Sequence, residues 1–465
     1  MGVDEGSLRD LLTDLTGAYG VPGASAAVLA DGWTVSAAAG VLNLRTGVPA
    51  TADSLFQIGP VTKVFTTTAL LRLVDQGKLD LDSTLAEVLP EFQPRDPTIA
   101  DTVRVRHLLT HTSGLPGDHL LDLGQGDDVL ERYTAACAAL PLQHPVGATM
   151  SYSDTGFILV GRIIEVLTGR IWDEALRELV LEPLGLTHTV TLPERALLYR
   201  TAVGHLPGPS GGLAPVTRWE VPRTLGPAGT VCTTGSELLI LVRLLLRRGV
   251  GVDGIRLLSE ASVQAMHDIQ VEVPNRWGMG AHWGLGLAIS EWDGRRVYGH
   301  TGNASAQSAF LHYVPDLGVA VTLLANGGSA RRMYRDLSRR VLADVAGVRP
   351  PAPLAPADPP PPADVSRYVG VYETIGMRME VRPDGTLHTR TIGHLDAVAH
   401  QPPQELRLVP RDPDRGLFVI HQPQLDDWLA VLFYSLPDGT PYLHMGLRAA
   451  PKVAGPTAPV VPADS

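Results

Sequence analysis

The chain has 465 residues, 44% hydrophobic and 19% charged, a balance that fits a folded globular protein with a large core and excludes a disordered one. A net charge of −11 repels anionic duplexes, so nucleic acid is not an expected partner. Two cysteines, Cys137 and Cys232, make neither a disulfide framework nor a zinc pattern, and no phosphate-cradling or dinucleotide glycine loop occurs. No metal and no cofactor are therefore expected.

The first twenty residues lack the basic start and apolar run of a secretory signal. They predict an amphipathic helix with Leu8, Leu11, Leu12 and Leu15 along one side. No run of roughly eighteen apolar residues follows anywhere, so no membrane partner is expected and the reading is a cytoplasmic protein. Residues 24–30 and 33–39 predict two strands joined at Asp31-Gly32, a strong short-hairpin signal. A helix is predicted from near Pro60 to a left-handed stop at Gly77, and further helices over 157–168 and 236–248, each closed by a glycine. Strands return at 284–290, 296–298, 308–314 and 319–325. The sheet is thus assembled from both ends of a long segment whose middle is mostly helical, which makes the fold class α+β.

Residues 350–362, PPAPLAPADPPPP, predict an extended, semi-rigid linker. About seven short strands then follow, over 368–373, 377–381, 387–391, 406–409, 417–421, 429–434 and 442–447, which predict a small antiparallel barrel or sandwich. The expected organisation is a domain over 1–348, a linker over 349–365, a small β-domain over 366–449 and a disordered tail over 450–465.

Three segments carry chemistry. Phe56-Gln57-Ile58-Gly59-Pro60-Val61-Thr62-Lys63 resembles the Ser-x-x-Lys motif of serine β-lactamases, penicillin-binding proteins and related esterases, with Pro60 at the place of the serine. Tyr152-Ser153-Asp154 resembles the Tyr-x-Asn motif of that superfamily, with Asp154 where asparagine is usual. His300-Thr301-Gly302-Asn303 resembles its Lys-Thr-Gly motif in the His-Thr-Gly form. Residues 105–116, VRHLLTHTSGLP, and the segments at 183–186, 227–230 and 283–286 are similar to further landmarks, so that the resemblance covers roughly residues 7–345. It implies a β-lactamase/transpeptidase-like domain with an antiparallel sheet and a helical region. His107 and His111 stand at a metal-binding spacing, but in this context they are expected to be structural.

The resemblance also implies roles. Lys63, Tyr152, Asp154 and His300 are the expected catalytic groups, and Pro60, Ser153, Thr301, Gly302 and Asn303 the expected substrate-binding ones. Proline is at home in the first turn of a helix but has neither a hydroxyl nor an N–H. In the superfamily the nucleophile residue supplies one oxyanion donor and the residue after the third motif, here Asn303, the other. Pro60 therefore removes the nucleophile and half of the oxyanion hole, where one such donor is worth about a hundred- to a thousandfold in rate. Asp154 is expected to hold Lys63 charged, and His300 to bind an oxygen or move a proton near neutral pH.

Three functions stay open. The pocket can perform non-covalent acid/base catalysis on a small molecule, such as a cyclisation, isomerisation, elimination or ring opening by water; natural-product metabolism is the setting that analogy suggests. It can be a pseudoenzyme that only binds a ligand. Or it can remain a hydrolase that uses Ser153, Thr62 or a bound water. The pocket walls are expected from residues 118–128 and 198–225, with a mobile stretch at 204–212. The substrate and the oligomeric state are not readable.

Overall fold

The computed structural model describes residues 3–454, apart from 209, 210, 220, 394, 397–401, 424 and 425. The first helix, α1 (Glu5–Tyr19), opens with an Asp4–Ser7 capping box and stops at Gly20 in the left-handed region. The strands β1 (Gly23–Ala30) and β2 (Trp33–Asn43) follow. Asp31 and Gly32 between them both have positive φ, 51° and 77°, the turn that matches the twist of a hairpin.

The first sheet is completed by β3 (Val48–Pro49), β4 (Val271–Glu272), β5 (His282–Trp283), β6 (Ala288–Trp292), β7 (Arg295–Ala304), β8 (Gln307–Val314) and β9 (Val319–Ala325). Its order is β3-β2-β1-β9-β8-β7-β6-β5-β4, antiparallel throughout. Side chains alternate along β1. Ala24, Ala26 and Val28 pack with Leu8, Leu12 and the helix α5 (Ala330–Ala346), while Ala27 and Leu29 join the larger core of the helical region. That region holds α2 (Thr62–Asp75), α3 (Asp154–Thr168) and α4 (Gly235–Leu246). Both cysteines are free and buried. No helix among the described residues is long and apolar enough to cross a membrane. The predicted mobile stretch includes 209 and 210, outside the described residues; His205–Pro207, within the stretch, pairs with Leu213–Pro215, just after it, as a hairpin.

The C-terminal part is a barrel. Its strands are β10 (Gly370–Glu373), β11 (Met377–Val381), β12 (Thr386–Thr391), β13 (Gln404–Arg407), β14 (Val409–Asp412), β15 (Leu417–Gln422), β16 (Asp427–Ser435), β17 (Pro441–Met445) and β18 (Arg448–Ala454). Their order is β13-β12-β11-β10-β18-β17-β16-β15-β14. The two ends of that row, β13 and β14, are separated only by Leu408. One bent strand over 404–412 therefore pairs with β12 through its first half and with β15 through its second, closing the sheet without a free edge. The sequence left barrel and sandwich open. The closing strand and β18 carry the difference, and β18 runs through Ala454, five residues into the segment expected to be a tail. Residues 455–465 lie outside the described ones.

Candidate functional site

The site forms where β7, the start of α2 and the start of α3 meet. Gly59 to Val61 make a tight helical turn with Pro60 at its first positions, and α2 continues from Thr62. Gly59 has φ +51°, and a Cβ there would stand 2.8 Å from the Asn303 carbonyl. A Cβ at Gly302 would stand 2.0 Å from the Ile58 carbonyl. Two glycines thus allow β7 to touch the turn that carries Pro60. Pro60 and Thr301 are half-buried and Asn303 is exposed, with its Oδ1 accepting from Ser308 Oγ at 2.8 Å.

Lys63 is wholly buried. Its Nζ donates to Asp154 Oδ1 at 2.6 Å and to the Ala228 carbonyl at 3.0 Å, and lies 4.8 Å from the Tyr152 ring centre. Burial pulls the Lys63 ammonium below its ordinary range, against the pull of Asp154. The expectation that Asp154 fixes the charge on Lys63 is therefore corrected in degree: the pair is present, but desolvation is the larger effect. Burial pushes Asp154 up, yet Lys63 and then Arg448 overcome it and hold the carboxyl below the usual range.

Tyr152 and His300 form a second pair. His300 Nδ1 lies 2.7 Å from the Thr301 carbonyl, which only accepts, so that nitrogen carries the proton. Nε2 is left to accept from the Tyr152 hydroxyl at 3.3 Å. Burial, then Lys63, pulls His300 down to about 3, and burial, then Asp154, pushes Tyr152 well above its ordinary value. His300 is thus neutral near pH 7, so it does not titrate there as expected from its residue type alone.

Ser153 and Thr62 are both committed elsewhere. Ser153 Oγ caps α3 by accepting from the Gly156 N–H at 3.1 Å, and the side chain is buried. Thr62 Oγ1 accepts from the Val231 N–H at 3.1 Å in the core. The helix over Val105–Leu109 ends before His111, which has φ +57°. His107 Nδ1 accepts from the Arg104 N–H, whereas His111 Nδ1 accepts from the Ser153 N–H at 3.0 Å and its ring packs, tilted by 31°, with its centre 4.3 Å from that of Tyr152. His111 is thus packed against Tyr152 and the start of α3, a structural role beside the candidate site.

Sequence reasoning missed the residues that reach in from the barrel. In the turn between β17 and β18, Gly446 and Leu447 have φ of 57° and 65°. The Leu447 carbonyl accepts from the Tyr152 N–H at 2.8 Å, and the Ala449 N–H donates to Ser151 Oγ at 3.1 Å. Arg448 pairs with Asp118 through Nε and with Asp154 Oδ2 through Nη2 at 3.5 Å. Asp118 Oδ2 in turn accepts from Thr374 Oγ1 at 3.2 Å. The polar chain Lys63–Asp154–Arg448–Asp118–Thr374 therefore crosses between the two parts of the molecule. The two predicted wall segments are tied together by Arg223 on Asp127 at 2.7 Å and by the Leu123 N–H on Thr224 Oγ1 at 3.2 Å.

The buried histidines set an acid limit on stability. His444, whose Nε2 donates to the Met150 carbonyl at 3.1 Å, is pulled down by burial to about 4. Above the ordinary histidine value nothing is lost. Below it the unfolded chain takes a proton that the folded chain refuses, so stability falls as pH drops from about 6.5 towards the folded values. Urea unfolding is expected to show a loss of about 2 kcal/mol between pH 7.5 and pH 5 for each histidine that burial pulls down to about 3 or 4, namely His267, His300, His312 and His444. His444→Gln, which keeps a donor for Met150 without titrating, is expected to flatten the profile by one histidine. An unchanged profile would show that His444 does not contribute.

Comparison with known proteins places this geometry. Residues 8–345 match the Beta-lactamase family. Over 378 residues the chain is 43% identical to penicillin-binding protein 4 of Amycolatopsis lactamdurans, covering 81% of this chain and 99% of that protein. The structure of SurE with D-Leu is 27% identical, with a TM-score of 0.74 over 97% of this chain and 99% of the other. The D-amino acid amidase of Ochrobactrum anthropi SV3 complexed with D-phenylalanine is 26% identical, with a TM-score of 0.59 over 69% of this chain and 91% of the other. The chain belongs to the β-lactamase family, with its sheet-and-helix fold followed by a C-terminal antiparallel barrel.

Proposed function

We propose that this chain is a non-covalent receptor for the D-configured end of an amino acid or peptide, and that it forms no acyl-enzyme. The observation that carries this reading is Pro60 three residues before Lys63, with no hydroxyl to attack and no N–H to hold an oxyanion. The proton inventory supports it. A catalytic acid or base works best with a pKa near the operating pH, yet His300, Tyr152 and Asp154 are all displaced away from neutrality. The two alternative hydroxyls, Ser153 and Thr62, are buried and occupied. The ligand class rests on the relatives: SurE is solved with D-Leu, and the D-amino acid amidase with D-phenylalanine and also with L-phenylalanine. Calorimetry with D-Leu, D-Phe and D-Ala-D-Ala is expected to show binding at least about tenfold tighter than for the L-forms. Intact mass after exposure to penicillin or a fluorophosphonate is expected to be unchanged. An adduct, or equal affinity for both enantiomers, would overturn the reading.

A second reading, non-covalent acid/base catalysis on a small molecule, is favoured by one observation. The Tyr152 hydroxyl faces His300 Nε2 beside Lys63, the single group of the site whose pKa moves towards neutrality. Here Tyr152 lends a proton while Lys63 and Arg448 stabilise negative charge. Under this reading Tyr152→Phe abolishes turnover of a small-molecule substrate; turnover that survives the change rules it out.

A further inference from the structure

The barrel has two unlike ends. Interior positions recur every second residue along each strand, which puts 377, 379 and 381 on one face of β11 and 429, 431 and 433 on one face of β16. One end is filled by aromatic rings: Tyr368 stacks on Phe433 at 4.3 Å, and Phe418 meets Phe433 edge-on at 5.6 Å. At the other end the same alternation brings in Met377, Ile420, Leu429 and Met445, which leave a cavity of about 110 Å³. An eight-stranded barrel is just wide enough to be filled by its own side chains or to hold one small ligand.

The cavity is apolar on one side and polar on the other. Thr389, Thr391, Gln404 and Gln422 occupy interior positions where an entirely packed barrel would carry apolar residues. Gln422 Nε2 donates to Gln404 Oε1 at 3.2 Å. Gln422 Oε1 is sealed from solvent and has no hydrogen-bond partner among the described residues. A buried acceptor without a donor is destabilising, and a ligand donor placed there would remove that penalty.

We infer that this end of the barrel is a second ligand site, taking a short aliphatic chain that ends in a hydrogen-bond donor, such as a small alcohol or primary amide. The chain lies against Met377, Leu406, Ile420, Leu429 and Met445, and the donor meets Gln422 Oε1 once the amide of that lining side chain turns towards the cavity. The volume limits it to a few heavy atoms, since a cavity of roughly 150 Å³ accommodates benzene.

The test uses the full chain and ligand-observed NMR with 1-butanol, butyramide, methyl propyl ether and butyrate. Butanol and butyramide are expected to bind, with the ether, an isomer of butanol that cannot donate, about fivefold weaker for want of one hydrogen bond. Ile420→Phe, which fills the cavity, is expected to remove binding with the far-UV spectrum unchanged; Leu429→Phe is the second filling variant should the first not fold. Gln422→Leu is expected to keep butanol binding and lose its advantage over the ether. The inference is overturned by equal binding of ether and butanol to the wild type, by butanol binding undiminished in a folded filling variant, or by no binding at all. Butyrate binding tighter than butanol and lost in Arg390→Gln, at the rim, would overturn the ligand class in favour of an anion.

Discussion

Asp154→Ala is expected to destabilise the protein by about 3–5 kcal/mol, because it leaves the Lys63 ammonium buried without its counter-charge. Lys63 has no exposed side-chain surface, so its ammonium cannot turn to water, while Asp154 is 14% exposed. Lys63→Met is expected to cost less, since Arg448 remains beside Asp154 at 3.5 Å. The double variant, with no unpaired charge at either position, is expected to recover a large part of the loss, giving a strong coupling in a double-mutant cycle. The pH dependence identifies the cause. Without Asp154 burial acts on Lys63 unopposed, and its pKa in the folded state falls further below the unfolded value of about 10.4. The unfolded chain then binds the proton that the folded chain releases, so the variant gains stability relative to the wild type as pH rises towards that value, by at most about 1.4 kcal/mol per pH unit. Urea unfolding at a series of pH values reads this directly. A cost below about 1 kcal/mol, or a penalty that does not shrink with rising pH, would remove the ion pair from the account of stability.

The same network explains why the barrel belongs to the description of the site. Arg448 stands between two carboxylates, Asp118 and Asp154, and its neighbours Leu447 and Ala449 are hydrogen-bonded to the segment 151–152. Burial opposes the Arg448 charge, but Asp118 and then Asp154 outweigh it and raise its pKa. Asp154 is held ionised by a cation from each side, one from α2 and one from β18. An asparagine at 154 would need neither.

Local signals were readable where the physics is local. The Asp31-Gly32 turn, the glycine stops after α2 and α3, and the three motif segments all lie within a few residues of what they determine. The cap at Ser153 was readable too, since a serine just before a helix accepts from its first turn, but the motif reading drew attention to its hydroxyl as chemistry instead. What could not be read is non-local. Arg448 lies 294 positions from Asp154, and an arginine at a strand start is ordinary. The barrel closes through a bend at Leu408 that looks like the end of one strand. His300 belongs to the residue type that titrates near neutrality, and only enclosure by Lys63, Tyr152 and Trp283 takes it away from that range.

Pro60→Ser combined with Asp154→Asn is expected to gain more esterase activity towards a nitrophenyl ester than Pro60→Ser alone. The single change restores two things at once, a hydroxyl three residues before Lys63 and a backbone N–H opposite Asn303. It does not free the base. Lys63 Nζ stays 2.6 Å from an ionised carboxylate, and a proton so held is withheld from transfer. Asparagine keeps an oxygen for Lys63 to donate to, so the buried amine retains a partner, but it removes the charge that favours the ammonium. An opposite charge at this range is worth about 1–3 pKa units, and each unit raises the fraction of neutral lysine about tenfold at a pH below its pKa. The double variant is therefore expected to exceed the single by about tenfold or more in kcat/KM, with the ascending limb of its pH profile displaced to lower pH. Equal activities would show that Asp154 does not restrain Lys63. A single variant already as active as the double would leave Pro60 as the whole of the barrier to acyl transfer.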